Sequence, residues 1–394
     1  MKPVRQKKYP HVTICVDRAQ SYGGEILKGI TKYVNVFGPW TLSIDPRFHG
    51  EYEAGWLKNW RGDGMIAYVE DPRLAKALKK ACIPVVEVFG HRYDLELPQV
   101  CPHGLVSGQL AAQHLIDRKF TEFAFCGYRD QQWSEMRQEG FVAAVKKAGF
   151  SARTHLVPRQ SKTLAQADSI QEQLNEWITR LPLPIGIMAC SDRHAQRVLV
   201  ACRLANISVP EEIAIIGSGN DEELCHLSHP ALSSVIYDTE RVGYQAAQLL
   251  DQIMAGKAKA AKLRTTFIPP LGIATRRSTE VMAIQDRLVA NVVRFIREHA
   301  CDGLSVDRIL SEFDISRSTF YRHFENVMGR SPHEEILRMQ LERTKNLLTH
   351  TSLAIERIAE LSGFPNTEYL YVAFKREIGQ TPRDYRQRNL KSAG

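Results

Sequence analysis

The residues that decide the fold run from 304 to 388 and read LSVDRILSEFDISRSTFYRHFENVMGRSPHEEILRMQLERTKNLLTHTSLAIERIAELSGFPNTEYLYVAFKREIGQTPRDYRQR. One pattern occurs in them twice: a short helix with apolar spacing, a tight turn and a second helix. The two units span about 304–327 and 353–378. Each second helix carries two apolar residues four positions apart, Phe320 with Phe324 and Leu370 with Phe374. This is the helix-turn-helix pattern, whose second helix enters the major groove of DNA. Two such units, joined by a long helix from about Pro332 to Leu348, predict an all-α DNA-binding domain.

The repeated pattern resembles the DNA-binding domain of the AraC family of transcription regulators. The closing stretch of that family is matched here by GQTPRDYR, residues 379–386. We therefore predict an AraC-type domain over 287–394, and the resemblance implies that its partner is double-stranded operator DNA.

The candidates for DNA contact are the residues that point away from the apolar pairs. Arginine pairs with guanine edges, glutamate accepts from cytosine, and basic side chains also contact phosphate. The predicted contacts are Arg317, Ser318, Tyr321 and Arg322 in the first unit, Thr367, Glu368 and Tyr371 in the second, and Lys375, Arg376, Arg383 and Arg386 toward phosphate. Each of them taken singly is also explained as a solvated surface side chain, and Val372 offers only apolar contact.

Length and charge set limits on this interpretation. A chain of 394 residues is long enough for two or three domains with substantial cores. The net charge is +8, but residues 281–394 hold 17 Lys and Arg against 15 Asp and Glu, a difference of only +2. The basic excess is not concentrated in the predicted DNA-binding domain, so charge permits DNA binding without arguing for it.

The eight cysteines are scattered, with no C-x-x-C pair and no zinc spacing. The basic N-terminus lacks the apolar core of a signal peptide, and no apolar run is long enough to span a bilayer. We expect a cytoplasmic protein with no metal, no cofactor and no membrane partner.

Residues 1–275 alternate short apolar strands with helices of ten or more residues, a pattern typical of parallel sheets covered on both faces. They contain no G-x-G-x-x-G after the first strand, no Walker A sequence and no G-x-S-x-G or H-E-x-x-H. An enzyme is therefore not expected.

The order of these elements resembles the LacI-type regulatory domain, which has the two-lobed periplasmic-binding-protein fold. The stretches that carry the resemblance are DGMIA at 63–67, IIG at 215–217 and PALSSV at 230–235. It implies lobes of about 10–115 plus 240–270, and 116–238, joined by three hinge strands. The polar residues 276–286 are predicted to be a linker. The fold class is thus an α/β two-lobed domain followed by an all-α domain with two helix-turn-helix motifs.

A LacI-type sensor before an AraC-type reader is an unusual combination. The chain resembles the regulators of bacterial xylose operons over nearly its whole length, including Gly38–Trp40 and Trp60–Gly64. The resemblance implies a homodimeric transcription activator that answers D-xylose by lobe closure, with RNA polymerase as a further contact. The alternatives are the same architecture with another small effector, or a repressor. A transport-type sugar-binding protein is a more distant alternative, because the DNA-binding domain argues against it.

A sugar site needs bidentate hydrogen-bonding groups and an aromatic face. Loops after the strands hold such groups, and the resemblance assigns ligand contact to Asp192, Arg137, Asn220 and Asp221, and more loosely to Trp133 and Tyr22. Asp192 alternatively caps the helix after it. Arg137 is alternatively an exposed helix arginine, and Trp133 a packing aromatic.

Two positions depart from the LacI-type pattern. The loop at 218–221 is one residue longer than in related regulators, which leaves open whether Asn220 or Asp221 faces the ligand. His103 stands where LacI-type domains usually carry an aspartate, and either a structural role or a changed specificity explains it.

Overall fold

Four parallel strands open the chain, in the spatial order β2-β1-β3-β4. The computed structural model describes residues 9–16, 21–45, 56–69, 71–90, 96–129, 131–158, 164–257, 265–280, 286–351 and 353–392. The strands are β1 (His11–Cys15), β2 (Thr41–Ile44), β3 (Gly64–Ala67) and β4 (Val85–Glu87), and the helices that follow them are α1 (Ser21–Phe37), α2 (Trp56–Asn59) and α3 (Pro72–Lys80). Because β3 is buried along its whole length, it reads as a continuous apolar run without alternation, and β4, which is equally buried, ends on the polar Glu87.

The second sheet has six strands, in the order β12-β10-β9-β8-β6-β7, and only β12 runs antiparallel to its neighbour. Its strands are β6 (Glu122–Arg129), β7 (Ala152–Pro158), β8 (Ile185–Ala189), β9 (Ile213–Gly219), β10 (Ser233–Ile236) and β12 (Gly272–Ala274). Its helices are α4 (Gly104–Asp117), α5 (Gln132–Lys147), α6 (Leu164–Thr179), α7 (Asp192–Leu204) and α8 (Glu222–Leu227). The two sheets and their helices are called the first and the second lobe below.

The chain passes between the lobes three times. Strands β5 (Val100–Pro102) and β11 (Thr266–Ile268) pair in parallel beside the first lobe and lead into α4 and β12 of the second. Between them, α9 (Thr239–Met254) returns from the second lobe and packs on α1. Glycine makes this contact close, since a Cβ on Gly243 would lie 2.1 Å from the Ile26 carbonyl oxygen.

The predicted lobe boundary is wrong at α4. Residues 104–115 were assigned to the first lobe, but α4 packs on α5 of the second. The contact depends on two glycines: a Cβ on Gly108 would lie 2.1 Å from the Arg137 carbonyl oxygen, and one on Gly140 would lie 2.0 Å from that of Leu105. The helices therefore meet backbone to backbone, which strand order alone does not reveal.

The predicted linker also differs from the structure at its start. Arg277–Thr279 form a 3₁₀ turn against the second lobe, in which Ser278 and Thr279 are fully buried. The Ser278 hydroxyl donates to the Ile215 carbonyl at 2.5 Å and accepts from the Ser233 N–H at 2.8 Å. Polar residues are buried here because each finds a partner. Residues 281–285 of the predicted linker lie outside the described residues.

The chain divides into two compact units, Met1–Met282 and Ala283–Gly394. The second is all helical: α10 (Arg287–His299), α11 (Val306–Glu312), α12 (Arg317–Met328), α13 (Pro332–His350), α14 (Ile355–Leu361), α15 (Thr367–Ile378) and α16 (Pro382–Ser392). Ser331 and Glu334 form a capping box that starts α13, with Pro332 in its first turn.

Two small cores flank α13 in this unit. Phe320 and Phe324 of α12 are buried in one core, and Leu370 and Phe374 of α15 in the other. Gln340 of α13 joins them, because its side-chain amide donates to the Ala300 carbonyl at 3.0 Å and to the Gly363 carbonyl at 2.9 Å. The two helix-turn-helix units thus both pack on α13.

Among the described residues, no helix is both long and apolar enough to cross a membrane.

Candidate functional site

A cavity of about 280 Å³ lies between the two lobes of the first unit. Its walls come from the ends of strands and the first turns of helices, the usual place for ligands in parallel α/β sheets. Of the six predicted ligand residues, five line it, and these are Tyr22, Trp133, Arg137, Asp192 and Asp221. The sixth, Asn220, does not.

Arg137 is held between two aromatic rings. Its guanidinium carbon lies 4.5 Å from the ring centre of Trp133 and 5.1 Å from that of Tyr237. One terminal nitrogen donates to the Cys190 carbonyl at 2.5 Å, whereas the buried Nε finds no hydrogen-bond partner among the described residues. Only 9% of Arg137 is exposed, so the alternative of a solvated helix arginine is wrong. The stacked, planar guanidinium belongs to the lining of the cavity.

Asp192 is 3% exposed and both of its carboxylate oxygens are engaged. Oδ1 accepts from the Ser234 hydroxyl at 2.5 Å, and Oδ2 accepts from the Asp221 N–H at 2.8 Å. Burial raises the pKa of this carboxyl, and the Ser234 hydrogen bond opposes that rise. Asp192 does not cap α7: the cap is Ser191, whose hydroxyl accepts from the His194 N–H at 3.3 Å.

Asn220 and Asp221 have different surroundings. The Asn220 side-chain oxygen accepts from the Arg276 guanidinium at 2.9 Å and turns toward the 3₁₀ turn. Asp221 lines the cavity and also caps α8, where its Oδ1 accepts from the Leu224 N–H at 3.2 Å. The longer loop left open whether Asn220 or Asp221 faces the ligand. The structure places Asp221, and not Asn220, in the lining of the cavity.

The predicted DNA residues lie mostly on exposed faces of α12 and α15. Exposed side chains are those of Arg317, Ser318, Arg322, Glu368, Lys375, Arg376 and Arg383, and half-buried ones are those of Tyr321, Thr367 and Tyr371. Tyr321 and Tyr371 pack partly against the two cores. Arg317 is paired with Asp307, and Arg376 with Glu377, so these two guanidiniums have neighbours within the unit.

Arg386 was predicted to contact phosphate, but its side chain is engaged within the domain. Its terminal nitrogen donates to the Leu353 carbonyl at 2.6 Å and its Nε is buried, so it anchors α16 to the loop before α14. Two further side chains stand out on α15: Tyr369, which was not predicted as a contact, is 42% exposed, and Val372, for which only apolar contact was predicted, is 67% exposed. An apolar side chain this exposed on a second helix can meet a thymine methyl group.

Comparison with known proteins covers both units. Three family models match: the XylR N-terminal domain at residues 11–102, a periplasmic binding protein-like domain at 112–279, and a helix-turn-helix domain at 309–388. The xylose operon regulatory protein of Haemophilus influenzae is 29% identical over 392 residues, covering 96% of this chain and 99% of that protein. Its counterpart in Escherichia coli K12 is 29% identical over 391 residues, covering 97% and 98%.

The chain is similar to the xylose operon regulators over nearly its whole length.

The solved structures agree with this assignment. A xylose-binding transcription activator, xylR, matches with a TM-score of 0.79 and 28% identity, covering 97% of this chain and 99% of that one. The regulator CelR in complex with cellobiose matches with a TM-score of 0.56 at 20% identity over 68% of this chain, which shows the two-lobed fold alone. The predicted fold class, a two-lobed α/β domain followed by a helix-turn-helix domain, is confirmed.

Several cavity residues of this chain were missed by sequence reasoning. Phe89, Tyr128, Ser218 and Tyr237 all line the cavity, and the hydroxyls of Ser218 and Tyr237 lie 2.5 Å apart. Phe89 and Tyr237 lie just past the ends of β4 and β10. The usable signal for Phe89 and Tyr237 was therefore their place after a buried strand, which the sequence analysis did not apply to these two residues.

His103 has a different environment from a ligand residue. It precedes α4 without a capping hydrogen bond, and its ring centre lies 5.0 Å from that of Phe267 on β11. Burial lowers the pKa of His103, and in the part of the chain that the structure describes its Nδ1 has no hydrogen-bond partner. It does not line the cavity, so it packs where the chain passes between the lobes.

Proposed function

We propose that the chain is a DNA-binding transcription activator that responds to D-xylose in the cytoplasm. The observation that carries this proposal is the cavity between the lobes, with Arg137 stacked between Trp133 and Tyr237, in a chain that also holds two helix-turn-helix units. The proposal is further supported by the xylose operon regulator of Haemophilus influenzae and the xylose-binding activator, which match 96% and 97% of this chain.

The cavity offers what a pentose requires. The Tyr22, Phe89 and Trp133 rings supply apolar faces, with centroids 5.5 Å apart for Tyr22 and Phe89 and 6.4 Å for Phe89 and Trp133. Arg137 and Asp192, which line the same cavity, supply donors and acceptors. A hydroxyl missing from the ligand would leave such buried groups unpaired, which is the basis of selectivity.

Because Tyr22 and Phe89 belong to the first lobe and Arg137 and Asp192 to the second, a bound sugar joins the two lobes. The protein is in equilibrium between a conformation that binds DNA and one that does not. The sugar can shift this equilibrium only as far as its affinities for the two conformations differ. We propose that the protein acts as a homodimer, each protomer placing α12 and α15 in successive major-groove turns, about 34 Å apart. As an activator, it would then contact RNA polymerase.

A hydrogen-bonded chain supports coupling from the cavity toward the second unit. Asp192 accepts from Ser234, Ser234 accepts from the Asn220 N–H at 3.0 Å, and Asn220 accepts from Arg276. Arg276 in turn exchanges two hydrogen bonds with Ser233, at 2.8 and 2.9 Å, directly before the 3₁₀ turn. The residues that follow this turn connect to the DNA-binding unit.

The test is a titration of the full chain with D-xylose and a panel of pentoses and hexoses. All five tryptophans lie in the first unit, and one of them lines the cavity, so tryptophan fluorescence reports binding there. We expect a saturable change with D-xylose, and a parallel change in affinity for operator DNA measured by fluorescence anisotropy.

A response to another sugar with the same DNA effect would retain the regulator and replace its effector. No response to any sugar in the panel would overturn the sugar assignment. If sugar binds and DNA affinity falls on binding, the protein is a repressor relieved by its sugar.

A further inference from the structure

Glu87 is a buried acidic residue at the end of β4. It is 0% exposed, and it does not line the cavity between the lobes. A buried carboxylate costs free energy unless hydrogen bonds compensate for its lost hydration. Here both oxygens accept from backbone groups: Oε1 from the Phe89 N–H and Oε2 from the Gly90 N–H, each at 2.9 Å. The carboxylate therefore holds the turn that follows the strand.

Two further features fix the same turn. The Tyr22 hydroxyl donates to the Val88 carbonyl at 2.7 Å. Gly90 has a φ of +73°, a left-handed conformation that glycine adopts without strain. The chain thus leaves the sheet after Glu87 and bends back over its carboxylate, so the direction in which Phe89 points depends on these hydrogen bonds.

Phe89 is the residue through which this turn reaches the cavity. Its half-buried ring belongs to the cavity lining. The ring centre lies 5.0 Å from that of Tyr68, 5.5 Å from that of Tyr22 and 6.4 Å from that of Trp133. The two tyrosines belong to the first lobe, whereas Trp133 lies on α5 of the second lobe and stacks on Arg137. Phe89 is therefore a first-lobe ring that meets the aromatic stack of the second lobe.

We propose that Glu87 is a positioning residue for the sugar site: its carboxylate sets the direction of the Phe89 ring and thereby the contact of that ring with Trp133. This inference rests on the proposed function, because it takes the cavity as the place where the sugar binds. Glutamine cannot replace the carboxylate, since its amide offers one accepting oxygen where two N–H groups need an acceptor. One backbone N–H would lose its partner, and the turn would shift.

The first experiment is a double-mutant cycle on D-xylose affinity, measured by isothermal titration of the full chain. We expect Glu87→Gln alone to weaken binding by about tenfold, as the loss of one charge-assisted hydrogen bond would. In the Phe89→Leu background the same substitution should weaken binding by less than about threefold, because the ring that Glu87 positions is gone. A general loss of stability would lower the affinity by the same factor in both backgrounds.

Glu211→Gln is the matched control. Glu211 is also a buried glutamate of the first unit, at 2% exposure, but it does not line the cavity and lies before β9 of the second lobe. Its replacement should leave the affinity for D-xylose unchanged.

A second measurement needs no sugar. Acrylamide quenching of tryptophan fluorescence reports how well Trp133 is covered, when the signal of a Trp133→Phe variant is subtracted in each background. Trp133 is only 7% exposed, so little quenching is expected in the parent chain. Quenching of Trp133 should rise in Glu87→Gln, because the Phe89 ring moves away, and should stay at the parent value in Glu211→Gln.

The outcomes separate this proposal from the proposed function. If Glu87→Gln binds D-xylose as tightly as the parent chain, or loses the same factor with and without the Phe89 ring, the positioning role is overturned and the regulator stands. If the parent chain does not bind D-xylose, the effector assignment fails, and quenching decides the role of Glu87. More quenching of Trp133 in Glu87→Gln then supports the positioning role, and equal quenching overturns it.

Discussion

At the scale of single residues, position along α5 decides what Arg137 can do. Trp133 and Arg137 are four residues apart, so the helix places them on the same face, and this stacking follows from the sequence. The third member, Tyr237, comes from a different strand end and closes the stack from the other side. No local spacing predicts that contact, because it depends on how β10 lies beside β9 in the sheet.

We expect Arg137→Lys to weaken sugar binding by about 10- to 100-fold, since lysine keeps the charge but loses the planar fork and the stacking. The measurement is isothermal titration with D-xylose or with whichever ligand binds the parent chain. Arg153→Lys is the matched control, because Arg153 is a surface arginine paired with Glu122 on the same lobe.

Melting temperatures of both variants establish that they fold. If folded Arg137→Lys binds as tightly as the parent chain, the stacked arginine is only a packing element and the ligand lies elsewhere in the cavity.

At the scale of elements, the sequence predicts whether a segment is a helix or a strand better than it predicts which other segment that element packs against. The second helix of each helix-turn-helix unit was predicted from two apolar residues, and both pairs are buried as expected. The lobe of α4 and the docking of the 3₁₀ turn were not predicted. Both depend on close contacts between distant segments, glycine against backbone in one and hydroxyl against carbonyl in the other. The composition of the 3₁₀ turn is that of a polar linker, although its polar groups form hydrogen bonds inside the second lobe.

The 3₁₀ turn provides a test of coupling. Arg276→Ala removes donors to Asn220 and to the Leu232 carbonyl, which lies 2.9 Å from the guanidinium, and so disconnects the cavity loop from the turn. We expect the ligand dissociation constant to change by less than about threefold, because Arg276 does not line the cavity. The effect of ligand on DNA affinity should fall by at least about fivefold, the lower end of typical coupling.

Both affinities are measured on the same preparation, by titration calorimetry for ligand and by anisotropy for labelled operator DNA. Arg277→Ala is the matched control, since it removes the neighbouring arginine, for which no side-chain hydrogen bond is found in the described part of the chain. If ligand changes DNA affinity by the same factor in both variants, the effect of ligand is not transmitted through the hydrogen bonds of Arg276.

At the scale of the whole molecule, charge is a poor guide to function. The net charge of +8 leaves only +2 for residues 281–394, so the DNA-binding unit is recognised by its repeated helix pattern and not by basic composition. The division into two units falls between Met282 and Ala283, within the stretch predicted as a linker. What the sequence could not supply is the cavity, because its walls come from both lobes and from residues more than 200 positions apart.

Two buried histidines make the stability of the first unit depend on pH. Burial lowers the pKa of His194 to about 3, and burial beside the Arg118 charge lowers that of His114 to about 4. In the unfolded chain a histidine takes up its proton near about pH 6.5. Below that pH the unfolded state binds more protons than the folded state, so stability falls as the solution is acidified and is unaffected above it.

We expect each of these histidines to lower the unfolding free energy of the first unit by about 2 kcal/mol as the pH falls from about 7 to about 5. Urea unfolding followed by tryptophan fluorescence reports this unit, since it holds all five tryptophans. His194→Gln removes one buried titrating group, so the loss between the two pH values should shrink by about 2 kcal/mol even if the variant is less stable at both.

His226→Gln is the control: His226 is exposed on α8, and its replacement should leave the loss unchanged. An equal loss in parent and His194→Gln chains would mean that His194 is not buried as a neutral ring, and that the contact of its Nε2 with the Cys126 sulfur at 3.1 Å does not persist in solution.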